Sequence, residues 1–118
     1  MDPNQYQQLK QYLQNEKLPE DKTLIKLLIS KSKFFEIKNN QLYKKDRRKQ
    51  TRNQLLKVIQ RHEIEPILYL MHNHPTGAHF GTDKMFEKIR DQHYWPQMYE
   101  NIKEYVRSCD RCQQRGKH

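Results

Sequence analysis

Two histidines and two cysteines stand at the ends of one stretch of this sequence. His72 and His79 open it, and Cys109 and Cys112 close it. Six residues separate the histidines, twenty-nine lie between His79 and Cys109, and two separate the cysteines. Two imidazoles and two thiolates form one of the closed tetrahedral sets that hold structural zinc. A Cys-x-x-Cys turn brings two sulfurs to one ion from neighbouring backbone positions. The DNA-reading finger runs cysteines first, with about a dozen residues before its histidines. Here the histidines come first and the gap has room for two helices. The ion is therefore expected to staple a helical domain rather than a minimal ββα finger. An open catalytic zinc keeps three protein ligands and a water. Four candidates point instead to a closed, structural ion.

The elements that must position these ligands can be read from local signals. Apolar residues of segment 64–71 lead into His72, and a loop with Pro75 and Gly77 can fold His79 back toward it. Gly81, Thr82 and Asp83 mark a helix start, with a flexible residue, a capping hydroxyl and an acid in the first turn. Phe86, Ile89 and His93 follow at helical spacing. Pro96 biases Trp95 away from helix and can itself sit near the next helix start. Met98, Ile102, Tyr105, Val106 and Cys109 then share one helical face. Cys109 should thus lie on the core side at a helix end, with Cys112 in the turn beyond.

The run from His72 through His79 to Gly81, then Lys84, Tyr94-Trp95-Pro96, Tyr105-Val106 and Ser108-Cys-Asp-Arg-Cys112-Gln113, resembles the HHCC zinc-binding domain of gypsy-type retrotransposon and retroviral integrases. The resemblance spans about residues 64–115. Phe34-Phe35 and Leu42-Tyr43 upstream resemble the extension that precedes this domain in gypsy-type integrases. His74 competes with His72 for the first ligand position. His72 is preferred because it ends the apolar segment and matches the family's position. The resemblance implies association with other integrase subunits, so a homo-oligomer in the full protein, and contact with the element's DNA ends. It also implies a catalytic acidic triad in a separate, following domain. This sequence stops at His118, so no strand transfer is expected from these residues alone.

Ahead of the ligands, Tyr6, Leu9, Tyr12 and Leu13 repeat as an amphipathic helix ended by Leu18-Pro19. Asp21 or Thr23 can cap a second helix with Leu24, Leu27, Leu28 and Ser32 inward, its face broadened by Ile25 and Ile29. Alternation in 34–43 around Asn39-Asn40 predicts a tight hairpin, since asparagine tolerates left-handed backbone. Residues 55–59 supply a third strand. The expected fold is α+β: N-terminal helices with a small antiparallel sheet, then a zinc-stapled three-helix HHCC domain. The expected division is 1–60 for the extension and 61–118 for the zinc domain.

The chain has 118 residues, of which 34% are hydrophobic and 31% charged, with a mean hydropathy of -1.23. Small domains with lean cores usually need a metal, disulfides or a partner. A disulfide across Cys-x-x-Cys would close too short a loop to constrain the unfolded chain much. No membrane-length apolar run or signal peptide is visible, so metal-bound thiols in a reducing, intracellular and here nuclear setting are expected.

The net charge of +9 favours a polyanion, with DNA the expected partner. Six of the nine residues in 44–52 are basic: Lys44, Lys45, Arg47, Arg48, Lys49 and Arg52. They read either as a wet hairpin loop or as a phosphate-contacting finger. Arg107, Arg111, Arg115 and Lys117 surround the cysteine turn and can extend that surface. His93 and the aromatics Phe80, Tyr94 and Trp95 read as packing residues. The rival function is a domesticated protein- or RNA-interaction module with structural zinc.

Overall fold

The computed structural model describes residues 1–46, 54–73 and 81–108. The first helix, α1 (Pro3–Asn15), starts where Asp2 accepts a hydrogen bond from the Asn4 N–H at 2.8 Å and Pro3 sets the first helical φ. Tyr6 and Leu9 are buried along its stripe, with Tyr12 and Leu13 packed beside them. It ends before Leu18-Pro19, because Glu16 turns left-handed (φ 54°) and its N–H closes on the Tyr12 carbonyl.

Helix α2 (Lys22–Ser32) is capped by Asp21, whose side chain accepts from the Thr23 N–H at 2.8 Å. Of the residues expected to point inward, Leu28 and Ser32 are buried, whereas Leu24 and Leu27 are 41% and 53% exposed. This corrects the inward reading of those two leucines. The helix packs on α1 and on one edge strand, which cover a single stripe. Aliphatics on every side of α2 cannot all be covered by two neighbours.

Strands β1 (Phe35–Lys38) and β2 (Gln41–Lys45) form the expected hairpin, pairing Ile37 with Leu42 and Lys38 with Gln41. Asn39 and Asn40 take φ of 52° and 64°, the paired left-handed geometry that matches strand twist across a two-residue turn. Strand β3 (Leu55–Val58) adds antiparallel to β2. The sheet does not stop there. After helices α3 (Arg61–His72) and α4 (Thr82–Arg90), a two-residue strand β4 (His93–Tyr94) joins β3 in parallel. The sheet is therefore mixed, in order β1-β2-β3-β4, and not purely antiparallel.

This strand corrects the reading of His93 as an extension of the helical face of Phe86 and Ile89. Its cause lies two residues later. A residue before proline avoids the helical region, so the chain into Trp95-Pro96 is already extended. It lies along β3, with the Ile59 N–H donating to the Tyr94 carbonyl at 2.8 Å and the Lys57 N–H to the Gln92 carbonyl at 2.9 Å. Helix α5 (Met98–Ser108) follows, after Gln97 in a left-handed conformation (φ 64°).

Two apolar clusters result. The first joins Met1, Tyr6, Leu9, Leu28, Phe35, Leu42 and Val58; the second joins Ile59, Leu68, Met85, Ile89, Trp95, Met98 and Ile102. Each fully buried aliphatic among them contributes about 1.5–3 kcal/mol of transfer free energy. Tyr94 packs against both clusters and meets Phe35 edge-on at 6.1 Å. At the same seam the Met1 ammonium donates to the Ile59 carbonyl at 2.6 Å, and the Arg61 N–H donates to the Met1 carbonyl at 2.9 Å. Burial there, with Arg61 nearby, pulls the amine below its ordinary pKa. Among the described residues no helix is long and apolar enough to cross a membrane.

Candidate metal centre

Three helices converge on the region of the expected ligands. Helix α3 begins with a reciprocal lock: the Gln60 N–H donates to the Glu63 carboxylate at 3.0 Å, and the Glu63 N–H donates to the Gln60 carbonyl at 2.9 Å. Leu68 and His72, four residues apart, form its buried stripe. The helix stops just after His72. There the backbone N–H and side-chain amide of Asn73 both donate to the Tyr69 carbonyl, at 3.1 and 2.9 Å.

That stop fixes His72 at the end of a rigid element. Its side chain is 1% exposed, and its ring meets the Tyr105 ring of α5 edge-on, with centroids 5.7 Å apart and planes at 89°. A fully buried imidazole is uncommon for a residue that titrates near neutrality.

Helix α5 presents Met98 and Ile102 to the second cluster, with Tyr105 and Val106 half-buried further along. This is the face read from the sequence. Trp95 anchors the start of the helix: it is 1% exposed, and its indole N–H donates to the Asn101 side-chain oxygen at 2.8 Å. The last described residue, Ser108, donates its hydroxyl to the Glu104 carbonyl at 2.8 Å. Cys109 is the next residue in the chain and Tyr105 precedes it by four. The helix that leads to the first thiol thus passes directly against the His72 ring.

Helix α4 braces this pair from the side, burying Met85 and Ile89. Gly81 is the N-cap, and Thr82 is the first helical residue rather than a capping hydroxyl. Gly81 has φ -71°, which any residue adopts, so its glycine freedom is not used. Tyr99 of α5 donates its hydroxyl to Asp83 at 2.8 Å, and this bond raises the phenol above its ordinary pKa. His93 is half-buried, and its Nδ1 lies 3.1 Å from the Ile89 carbonyl, a packing role as expected.

Among the predicted ligands, the structure places His72. His79, Cys109 and Cys112, and the competitor His74, lie outside the described residues. Among the described residues no three metal-ligating side chains stand together. The described geometry nonetheless fits a structural ion: one buried imidazole ends α3 and abuts the helix that precedes the Cys-x-x-Cys sequence.

Of the basic candidates, Lys44 and Lys45 are placed, at the end of β2. Lys44 is half-buried with its Nζ 4.0 Å above the centre of the Tyr94 ring. Burial lowers its pKa, and Asp46 opposes that shift. Lys45 is exposed. Arg107 is ion-paired with Glu104, one turn back on α5. Arg47, Arg48, Lys49, Arg52, Arg111, Arg115 and Lys117 lie outside the described residues. Sequence reasoning missed the seam around Tyr94 and Lys44. An extended Tyr-Trp-Pro was the available signal, and it was read only as a helix break.

A family profile described as the integrase zinc binding domain matches residues 59–118. A stretch of 58 residues is 38% identical to the retrovirus-related Pol polyprotein from transposon 412 of Drosophila melanogaster, covering 48% of this chain and 5% of that protein. Another of 83 residues is 29% identical to the gypsy retrotransposon integrase-like protein 1 of Macaca fascicularis, covering 70% of this chain and 15% of that protein. The human protein of the same name is 29% identical over 66 residues, 56% of this chain and 12% of its own length. The chain thus corresponds to a small part of each of these relatives.

Proposed function

This chain belongs to the integrase zinc-binding domain family, and on that premise we propose that it is the metal-folded, DNA-binding N-terminal module of a retrotransposon-type integrase. The observation that carries the reading is His72, buried at the end of α3 and packed on Tyr105 one turn before Cys109. In this reading His72, His79, Cys109 and Cys112 hold one zinc ion. The ion supplies the positive charge that lets two thiolates and two imidazoles face one another in a small, lean core. The residues around it do the rest. Asn73 fixes where α3 stops, Tyr105 holds the His72 ring in place, and Met85 with Ile89 keeps α4 against α5.

The module binds and positions, and the chemistry of integration resides in another part of the parent enzyme. Lys44, Lys45, Arg47, Arg48, Lys49 and Arg52, with Arg111 and Arg115, contact DNA phosphates. Such contacts give affinity without sequence choice. Association with further integrase subunits and action in the nucleus belong to the same reading. Duplex DNA binding tests it. Replacing Arg47, Arg48 and Lys49 together by glutamine should weaken binding and flatten its salt dependence by about 2–3 units of log-log slope. An unchanged slope clears that run of the role.

A second reading, a protein- or RNA-interaction module, draws on the exposed Tyr69 and Leu70 of α3, at 60% and 68% exposure. Apolar surface of that kind suits a packed protein interface. A protein interface would hold its affinity as salt rises, whereas phosphate binding falls steeply.

A further inference from the structure

An open cleft of about 1110 Å3 runs along the seam between the two apolar clusters. Its floor is buried: Leu9, Phe35 and Leu56 from one side, Trp95 and Met98 from the other. Its exposed apolar lining is of one kind. Among the described residues, apart from Pro96, the apolar side chains that line it and keep solvent exposure are all aromatic: Phe34, Phe86, Tyr94 and Tyr99. Phe34 and Tyr99 are 36% and 39% exposed.

Cations lie against these rings. The Lys44 ammonium is 4.0 Å above the Tyr94 ring centre, and the Arg90 guanidinium is 5.2 Å from the Phe86 ring centre. Lys44 and Lys45 line the cleft and are also the first two members of the basic run 44–52. A polyanion held by these two lysines therefore lies at the cleft. Exposed rings with cations beside them suit a strand that carries both flat bases and charged phosphates. A groove for an amphipathic acidic peptide would be expected to show aliphatic side chains, and among the described residues the exposed wall has none.

We propose that this cleft takes unstacked nucleotides of a single-stranded DNA segment. The phosphates follow Lys44 and Lys45, and the bases lie against Phe34, Phe86 and Tyr99. The proposal rests on the nucleic-acid reading above and narrows it from duplex phosphates to a single strand. Its volume exceeds that of ordinary small-ligand pockets, which run to about 1,000 Å3. The cleft thus has room for more than one base.

Trp95 is the sole tryptophan of the chain and lies in the buried floor of the cleft, so its fluorescence senses a change of environment when the cleft fills. The zinc-loaded full chain is titrated with a short oligothymidylate and, separately, with a blunt duplex. Oligothymidylate should quench Trp95. The double variant Phe34→Ala, Tyr99→Ala should lose on the order of tenfold in single-strand affinity while duplex affinity stays within about twofold. Both positions are exposed, and a circular dichroism spectrum like that of the parent confirms the fold. Phe34→Tyr with Tyr99→Phe keeps both rings and should restore binding. The proposal is overturned by absent single-strand binding, by unchanged single-strand affinity in the alanine pair, or by polyglutamate binding equally well. Duplex binding without single-strand binding sinks this proposal alone. No binding of either nucleic acid sinks the wider reading with it.

Discussion

The two apolar clusters are finished differently. Around the first, both helices start on aspartate caps, Asp2 and Asp21, and the hairpin turns on two asparagines that accept left-handed backbone. Tyr6 reaches across to accept the Leu42 N–H at 3.4 Å. Every one of these closures is made by residues within the first 42 of the chain. Around the second, α4 starts on Gly81 without a side-chain cap, and α3 and α5 both end beside the expected ligands. Its core is no smaller, yet α3 stops at His72, the first of the proposed ligands, and Cys109 follows the last described residue of α5 in sequence. The comparison teaches that local caps and turns close the first cluster, whereas under the proposed zinc reading the second is completed by a metal bond that apolar contacts do not supply.

Metal removal breaks the comparison most sharply. Structural zinc contributes about 10–16 kcal/mol in small finger peptides near neutral pH, comparable to a domain's whole stability of about 5–15 kcal/mol. A chelator should therefore melt α3, α4 and α5 first, read as a partial loss of helical circular dichroism, with elemental analysis showing one zinc per chain beforehand. Full helicity after complete metal loss would end the zinc reading. His72→Ala should reproduce much of this effect, whereas His74→Ala should leave zinc stoichiometry intact. Equal losses from both would return His74 to candidacy.

Leu9→Ala tests the other side. It removes a fully buried side chain from the first cluster and should cost about 2–5 kcal/mol in denaturant unfolding, with or without zinc. Smaller still is Asp21→Ala, which removes the α2 cap and should cost about 1 kcal/mol. Smallest is Gly81→Ser. A Cβ there meets nothing within 4 Å, and the new hydroxyl can cap α4, for a gain of a few tenths of a kcal/mol in thermal unfolding.

Much of the first cluster was legible because its signals are local. Asn39-Asn40 announces its turn, and the spacing of Tyr6 and Leu9 announces a stripe. The face of α5 and the end of the apolar run at His72 were legible for the same reason. The outward side of α2 was not, because leucine and isoleucine surround that helix and periodicity cannot say which neighbour arrives. Strand β4 was hidden by a coincidence: His93 falls four residues after Ile89, a helical spacing, and only Pro96 argued for extension. Met1 in the seam carries no periodic signal at all. Of the metal set, sequence spacing named four ligands, and the structure locates His72 among them.

The parallel pairing of Tyr94 on β3 carries one more consequence. Among the described residues that short segment is what pairs with the outer rim of β3 in the sheet, and it belongs to the half expected to need zinc. If the half loosens, the N–H groups of Lys57 and Ile59 lose the carbonyls of Gln92 and Tyr94. An uncovered rim of that kind is a template for sticking to a neighbouring molecule. Under the zinc reading, metal starvation would then expose a seed for ordered clumping.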